Sequence, residues 1–257
     1  MLRLFVSLAI VIALLSWIAA PPAQADTIVI QDSGGTDPNT LGFAGSTYGS
    51  PAPGSASGGN WDVSGPWCCT YDVYTFSAAQ VAALTSSSSW TYTATFANLS
   101  TNTSPEEAPP PYYVDVPGSY GSYASIALNG MRFDLGMHSD GAGDQILMLD
   151  PYSSSSPEYT ISGLGTSQAT LSLVYNGSSG TADVYVNGVD VISDFSGFAT
   201  ADQDEVFFGG EDGQFSNVAL SYADASVDPP VPEPHSFGLL LLATCVVVFF
   251  GRRRVRA

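Results

Sequence analysis

Short segments in which apolar and polar residues alternate recur through the middle of the chain and constrain its fold more than any other feature. In residues 90–96, Trp90, Tyr92 and Phe96 fall on one side of the alternation and three threonines fall on the other. Side chains two positions apart share a face of a β-strand, so this pattern predicts a strand with one buried face. Similar alternation or short apolar runs occur in residues 131–137, 146–149, 169–175, 182–186, 189–192, 206–208 and 215–222.

Turn residues separate these segments. Residues 176–180 read Asn-Gly-Ser-Ser-Gly, and Asn187-Gly188 is typical of a two-residue hairpin turn. The one helical candidate is residues 77–84, where Ser77 is a suitable N-cap. Many strands, glycine-containing turns and one short helix predict an all-β fold, an antiparallel sandwich.

Two of these segments carry a family resemblance. Residues 171–177 and 182–188 each end in Asn-Gly and resemble the central hairpin of laminin G-like, concanavalin A-like jelly rolls. Residues 207–210 and 213–220 resemble the closing strands of that family. The resemblance covers residues 171–222, and together with the strand pattern upstream it predicts a jelly-roll domain over residues 67–226. It also implies binding of carbohydrate or protein, or cleavage of glycans, often with calcium at the rim of the sandwich.

The N-terminus predicts export. Arg3 precedes an apolar run over residues 4–20, and Ala23 and Ala25 supply the small residues behind which a signal peptidase cuts. We therefore expect a signal peptide over residues 1–25. The alternative is an uncleaved membrane anchor.

The C-terminus predicts a membrane segment. A proline-rich linker over residues 227–234 precedes a predicted transmembrane helix at 235–251. Its apolar core, residues 237–250, would rise only about 21 Å as a helix, less than a bilayer core of about 30 Å. A buried core helix is therefore the alternative. The membrane is favoured because a cytoplasmic cluster at 252–257 follows, formed by Arg252, Arg253, Arg254 and Arg256.

The order of these parts resembles a known sorting signal. Pro232, Glu233 and Pro234, followed by the apolar helix and the arginines, resemble the PEP-CTERM signal of exopolysaccharide-producing Gram-negative bacteria. This resemblance covers residues 231–257. It implies that an exosortase, a membrane cysteine protease, recognises the tail and cleaves near Pro-Glu-Pro. The protein would pass through an inner-membrane intermediate and then be released or attached at the cell surface.

The charge pattern excludes one class of partner. The formal net charge is −18, the chain has no lysine, and Arg132 is the single Lys or Arg between residues 26 and 231. A phosphate backbone requires clustered Lys and Arg, so nucleic-acid binding is excluded. The acidic surface suits solubility, a salty medium or the capture of cations.

Acidic loops predict a calcium site. Asp140 and Asp144 flank two flexible glycines, and Asp204 is expected to join them from another loop at the rim. Carboxylate oxygens are preferred calcium ligands. A solvated polar turn is the alternative.

Aromatic residues in segments predicted to be loops are candidates for stacking on sugar rings. These residues are Trp61, Trp67, Tyr112 and Tyr113. Packing against the sandwich is the alternative role for them. Trp61 belongs to residues 26–66, which are predicted to form a flexible N-terminal segment because residues 32–66 are rich in Gly, Ser, Pro and Thr.

No catalytic constellation is evident. Related glycan-cleaving jelly rolls carry a Glu-x-Asp-x-x-Glu pattern, and glycan cleavage requires paired carboxyl groups. Glu205 and Glu211 lack the middle Asp of that pattern. The adjacent Cys68 and Cys69 would form a strained disulfide, and both an intermolecular bond and free thiols remain open.

The sequence thus predicts a non-catalytic exported surface or matrix protein. Its jelly roll is expected to contact extracellular polysaccharide or a surface protein. The alternatives are a secreted glycan-cleaving enzyme of concanavalin A-like fold and a purely structural adhesin or coat protein.

Overall fold

The computed structural model describes residues 26–46, 54–65, 70–99, 121–150 and 157–223. The predicted signal peptide, linker, membrane helix and arginine cluster lie outside these ranges. Within them, no helix is long and apolar enough to cross a membrane.

The described residues form mostly strands. In chain order these are β1 (Asp26–Asp32), β2 (Ala44–Ser46), β3 (Gly54–Ser57), β4 (Asn60–Ser64), β5 (Tyr71–Thr75), β6 (Ser89–Asn98), β7 (Ser122–Leu128), β8 (Met131–Ser139), β9 (Gln145–Met148), β10 (Glu158–Ile161), β11 (Ala169–Asn176), β12 (Thr181–Val186), β13 (Val189–Phe195), β14 (Phe198–Ala199), β15 (Glu205–Gly210) and β16 (Asp212–Ala223). A 3-10 helix spans Pro38–Leu41, and helix α1 spans Ala78–Ser86.

The strands form two antiparallel sheets. Sheet A has the order β13-β12-β11-β6-β16-β4-β3, and β1 also pairs with β16. Sheet B has the order β10-β9-β8-β7-β15-β5-β2, and β14 pairs with β8. The inner faces of the two sheets enclose a shared apolar core. This arrangement is an antiparallel jelly-roll sandwich, which confirms the predicted fold class.

The alternation seen in the sequence produces this core. Trp90, Tyr92 and Phe96 point inward from β6 and are buried, whereas the intervening threonines are partly exposed. The Trp90 ring meets Phe133 of sheet B edge-on, with ring centroids 5.8 Å apart. The Phe96 ring stacks on Phe215 at 4.9 Å. Aromatic contacts of this kind stabilise the core beyond the burial of their area.

Helix α1 begins where the sequence predicts. The Ser77 side chain accepts a hydrogen bond from the Gln80 backbone N–H, and the Gln80 side chain accepts one from the Ser77 N–H. This reciprocal capping box satisfies two donors that a helix start otherwise leaves free. Leu84 is the buried residue that docks the helix on the core.

The prediction of a flexible segment over residues 26–66 is wrong for its described part. Strands β1 and β4 both pair with β16, and Ile30, Trp61 and Val63 are buried in the core. The few apolar residues of this segment are separated by many small ones, so the alternation of buried and exposed positions could not be recognised from its composition. The domain therefore begins at Asp26 rather than at residue 67, and Asp26–Ala223 forms one compact unit.

A glycine explains how the chain leaves β1. Gly34 has φ +73°, and a Cβ at this position would lie 2.3 Å from the Phe215 carbonyl oxygen. A residue with a side chain would meet both the backbone strain and the clash. Gly34 thus allows the chain to turn closely against β16.

Removal of residues 26–66 is expected to abolish cooperative folding, because the loss of β1 to β4 uncovers one edge of β16 and removes Trp61 from the core. We expect residues 26–223 to give a single sharp transition in a circular dichroism melt and residues 67–223 to give none. As a milder test, Trp61→Ala should cost about 3–5 kcal/mol, the usual loss for a large buried side chain. Equal melting temperatures for the two fragments would contradict this boundary.

The Trp61 indole also joins the two sheets through a buried carboxyl group. Its Nε1 donates to Asp72 Oδ2 of sheet B at 2.7 Å. Burial raises the pKa of Asp72 from 3.8 to about 6, against the opposing effect of the Trp61 hydrogen bond, and the charges of Asp37 and Asp32 raise it further. An ionised Asp72 is therefore less stable in the fold than in the unfolded chain.

The domain should consequently lose stability as the pH rises. The pKa of Asp72 is higher in the folded domain than in the unfolded chain. The stability that protonated Asp72 contributes is therefore complete below about pH 4 and is lost as the pH rises through 6. The difference corresponds to up to about 3 kcal/mol. Denaturant unfolding of residues 26–223 between pH 4 and 7, in metal-free buffer, checks this. Asp72→Asn should flatten the profile relative to the unsubstituted domain, whereas parallel profiles would contradict the assignment.

Candidate functional site

The outer face of sheet A carries a group of uncharged polar side chains. They project from the central strands β11, β6 and β16, opposite to the residues that fill the core. We call this group the hydroxyl face, formed by Thr91, Thr93, Thr95, Thr170, Ser172, Asn217 and Ser221. All seven are partly exposed to solvent.

Strand register places these side chains in rows across the sheet. Thr93 lies opposite Ser172 on one neighbouring strand and Ala219 on the other. Thr95 lies opposite Thr170 and Asn217 in the next row. Neighbouring strands are about 4.8 Å apart, so the side chains of one row lie within contact distance.

Hydrogen bonds hold the hydroxyl groups in place. Thr93 Oγ1 is 3.0 Å from Ser172 Oγ, and Thr95 Oγ1 is 3.0 Å from Thr170 Oγ1. Each hydroxyl group has one donor and two acceptor positions, so a pair of this kind retains capacity for a ligand. The face is thus an ordered array of donors and acceptors.

The margins of the hydroxyl face add larger side chains. On one side, Tyr185 of β12 lies opposite Ser172 and is partly exposed. On the other side, Gln31 of β1 is exposed opposite Ala219. Ile28, which is 62% exposed, lies opposite Ser221.

The centre of this face is free of charge, although the chain carries a net charge of −18. Residues 89–95, 170–176 and 217–221 contain no Asp, Glu, Lys or Arg. The face offers hydrogen bonds and an aromatic ring, and none of its seven side chains is a carboxyl group; Asp183 and Asp190 lie at its margin on β12 and β13. This chemistry suits the recognition of an uncharged molecule with many hydroxyl groups.

The outer face of sheet B is different, because part of it is a buried apolar cluster. Tyr123 and Phe207 are each 7% exposed and form a cluster with Met148, separate from the main core. Tyr71, Val73 and Ile146 pack against this cluster. These rings are therefore not available for stacking on a sugar.

Arg132 organises the charges on this second face. Its guanidinium carbon lies 4.4 Å from the centroid of the Phe207 ring. Its Nε donates to Asp134 at 2.7 Å, and its Nη1 donates to Asp202 at 2.9 Å. The sequence identified Arg132 as an isolated basic residue. Asp134 lies two residues along the same strand, whereas Asp202 and Phe207 come from distant parts of the chain and carry no local signal.

Burial and the Arg132 charge have opposite effects on the pKa values of two acidic groups, Asp134 and Glu205. Burial raises the pKa of Asp134, and the Arg132 charge opposes that rise. Burial also raises the pKa of Glu205, the Asp202 charge raises it further, and Arg132 lowers it. The desolvated carboxyl groups are thus partly compensated by one guanidinium.

The three predicted calcium ligands do not form one site. Asp140 and Asp144 follow the C-terminal end of β8. Asp204 lies near the other end of that strand, where its Oδ1 accepts a hydrogen bond from the Asn129 N–H. About 26 Å of strand separates these positions. Among the described residues, no group of three or more His, Cys, Asp or Glu side chains is arranged to hold a metal ion. The prediction treated two loops of the rim as neighbours, but they lie at opposite ends of the sandwich.

Asp140 and Asp144 are used as hydrogen-bond acceptors in their own loops. Asp140 Oδ1 accepts from the backbone N–H groups of residues 142, 143 and 144. These bonds, the one from Ala142 first, lower the pKa of Asp140. Asp144 Oδ1 accepts from the Gly163 N–H and connects two loops. Calcium binding by this pair stays a prediction.

The structure changes the role of one predicted sugar-binding aromatic residue. Trp61 is 4% exposed and belongs to a strand rather than a loop, so its assignment to carbohydrate is wrong. The remaining three, Trp67, Tyr112 and Tyr113, lie outside the described residues. The same holds for the cleavage site at Ala23 and Ala25, the two adjacent cysteines and the sorting motif.

Comparison with known sequences identifies the tail. Residues 230–254 match the PEP-CTERM protein-sorting motif, which confirms the resemblance seen in the sequence. No curated protein matches the chain.

Comparison with solved structures returns distant similarities. A carbohydrate esterase of the Shiga toxin-encoding bacteriophage phi24B is 13% identical with a TM-score of 0.49, over 77% of this chain and 99% of that chain. The binding domain of Botulinum neurotoxin DC, in complex with rat synaptotagmin II, is 12% identical with a TM-score of 0.40, over 64% of this chain and 39% of that chain. A Trypanosoma rangeli sialidase is 17% identical with a TM-score of 0.39, over 67% of this chain and 26% of that chain.

Proposed function

We propose that this chain is an exported surface protein that binds an uncharged extracellular polysaccharide through the hydroxyl face without cleaving it. Its PEP-CTERM motif directs export through an exosortase. The observation that carries the binding function is the ordered, charge-free hydroxyl face of sheet A.

The charge of the domain defines the class of polysaccharide. With a formal net charge of −18, the chain repels anionic polymers such as those rich in uronic acid or sulfate. A neutral polysaccharide approaches without that repulsion. Its hydroxyl groups match the donors and acceptors of Thr93 and Ser172, and Tyr185 offers a ring against which a sugar can pack.

The strength of binding follows from many weak contacts. A hydrogen bond that replaces one to water contributes about 0.5–1.5 kcal/mol, so one sugar unit binds weakly. A polymer that crosses several rows of the sheet makes many such contacts. Neighbouring copies on one polymer add effective concentration. Such binding suits a matrix component rather than a receptor for a small sugar.

Loss of hydroxyl groups from the face should weaken polysaccharide binding without changing the fold. We expect Thr93→Val with Ser172→Ala to lower the affinity about 10-fold, because two hydrogen bonds are worth roughly 1.4 kcal/mol or more. Tyr185→Ala should have a similar effect. Residues 26–223 on an array of neutral and anionic glycans provide the ligand and the measurement.

Matched controls lie on sheet B. Thr160→Val and Tyr159→Ala change exposed residues of the same types on β10 and should leave the affinity unchanged. Equal losses in both sets would place the binding elsewhere. Shortened products after incubation with the bound glycan would instead indicate an enzyme, and the absence of any bound glycan would favour a structural adhesin or coat protein.

The sorting motif has a physical reason to be recognised. Proline fixes φ and lacks an N–H donor, so Pro232 and Pro234 keep the segment extended around Glu233. An extended chain is the shape that peptide-binding clefts accept. Glu233 supplies the single charge of that short segment.

Glu233→Ala should therefore leave membrane insertion intact and block processing. In a host that contains the exosortase, we expect the full-length chain to accumulate in the inner membrane fraction, as measured by immunoblot of fractions. Substitution of the four arginines of residues 252–257 by alanine should instead disturb the topology, because the charge that holds this end inside is lost. Normal processing of both variants would show that the tail is only an anchor.

A further inference from the structure

A second group of polar side chains lies beside the hydroxyl face, on the same outer surface of sheet A. Asn60 and Asp62 project from β4 to this surface, because the alternating residues Trp61 and Val63 are buried in the core. Side chains of β16 and of the residue before β11 join them. We call this group the amide cluster, formed by Asn60, Asp62, Gln168, Gln214 and Ser216. All five are partly exposed to solvent.

Hydrogen bonds join the members of the amide cluster. Gln168 Nε2 donates to Asn60 Oδ1 at 2.9 Å, and Gln168 Oε1 accepts from Ser216 Oγ at 2.8 Å. Gln214 Nε2 donates to Asp62 Oδ1 at 3.0 Å. Gln214 and Asp62 also lie directly opposite each other in the pairing of β16 with β4. The fold therefore holds these side chains in one arrangement before a ligand binds.

Three polar atoms of the cluster are available to a ligand. Within the part of the chain that the structure describes, Asp62 Oδ2 and Gln214 Oε1 accept no hydrogen bond and Asn60 Nδ2 donates none. None of these three atoms is buried. The two acceptors lie side by side, because their side chains are bonded to each other. An ionised carboxylate accepts stronger hydrogen bonds than a neutral group, so Asp62 adds a strong acceptor to this surface.

Strand register places the amide cluster at one end of the hydroxyl face. On β6, Thr93 and Thr95 belong to that face, and Ala97, two residues further on, lies opposite Gln214. Two residues of a strand span about 7 Å, so the two groups form one polar track that is about 14 Å long from Thr93 to Ala97. A polymer that lies along β6 therefore contacts both the hydroxyl rows and the amide cluster.

We propose that the amide cluster binds a vicinal diol, which is a pair of hydroxyl groups on neighbouring carbons of a sugar ring. This inference rests on the proposed function and specifies the class of polysaccharide further. One hydroxyl group of the diol donates to Asp62 Oδ2, and its neighbour donates to Gln214 Oε1. Asn60, about 7 Å from Asp62 along β4, donates through Nδ2 to a hydroxyl group of the next sugar unit.

The spacing of the acceptors favours a diol over a single hydroxyl group. Hydroxyl groups on neighbouring ring carbons are held close together, as are the two free acceptors of Asp62 and Gln214. A single hydroxyl group reaches only one of these acceptors and leaves the other to water. The charge of Asp62 also repels a carboxylate or sulfate group at this position, in agreement with a neutral polysaccharide.

The linkage of a polysaccharide decides whether it carries this diol. Hexose units joined through positions 1 and 4 keep free hydroxyl groups at positions 2 and 3, and units joined through positions 1 and 6 keep those at 2, 3 and 4. Units joined through positions 1 and 3 have no two free hydroxyl groups on neighbouring ring carbons. We therefore expect the domain to prefer 1,4-linked and 1,6-linked polymers to 1,3-linked ones.

The test measures binding of residues 26–223, which form one compact unit, to immobilised neutral polysaccharides at pH 7. The probes are glucans and mannans of matched length in the three linkages. The 1,4-linked and 1,6-linked polymers should bind at least 10-fold more tightly than the 1,3-linked polymers. Periodate cleaves the carbon–carbon bond of a vicinal diol and leaves the units of a 1,3-linked chain intact. Treatment of the probes with periodate and then borohydride should therefore remove the preference.

Two substitutions remove the free acceptors one at a time. Asp62→Asn removes the charge but keeps an oxygen that accepts from Gln214, and Gln214→Met removes the neutral acceptor. Each should lower the affinity for the 1,4-linked polymer about 10-fold and change that for the 1,3-linked polymer little. Asp140→Asn combined with Gln203→Met makes the same changes at exposed positions outside sheet A and should retain the preference. Circular dichroism melts check that all variants are folded.

The remaining results would overturn the inference in distinct ways. Equal affinity for the three linkages would reject the diol site and leave the hydroxyl face in place. An unchanged preference in both Asp62→Asn and Gln214→Met would assign the selection of linkage to other residues. A loss of equal size for all linkages would give the cluster a purely structural role. Absence of binding to any neutral polysaccharide would reject the proposed function and this inference with it.

Discussion

The pairing of β16 with three other strands is the constraint on which the rest of the structure depends. β6 lies along one side of β16, while β1 and β4 share the other. This single strand therefore joins the beginning of the domain to its middle. Its inward residues Phe215, Val218 and Leu220 are buried in the common core. Contacts between residues this far apart in the chain carry a loop-closure entropy, which the burial of the inner faces of both sheets must offset.

Much of this fold could be predicted from local pattern. The alternation in β6, the Asn-Gly turn after β12 and the cap at Ser77 each act within a few residues, so the sequence shows them directly. The first four strands could not be predicted, because their burial depends on β16 and β5, more than a hundred residues away in the case of β16. Pairing across strands also hid the contact of Trp61 with Asp72 and that of Arg132 with Asp202.

The candidate site was missed for a different reason. Threonine at alternate positions of β6 indicates an exposed face, but its neighbours across the sheet come from β11 and β16 and are set by register. Sequence reasoning instead chose aromatic residues in Gly-rich segments and acidic residues in turns. Trp61 proved to be a core residue, and Asp204 proved distant from Asp140. Side-chain type alone did not distinguish a ligand from a packing residue.

The first and last residues of the domain lie opposite each other, with Asp26 paired to Ala223. The chain therefore enters and leaves the sandwich at one point. A short linker could join these two ends, and new termini could be placed in an exposed hairpin turn such as Asn187-Gly188. The domain is in this respect a module whose two ends lie together.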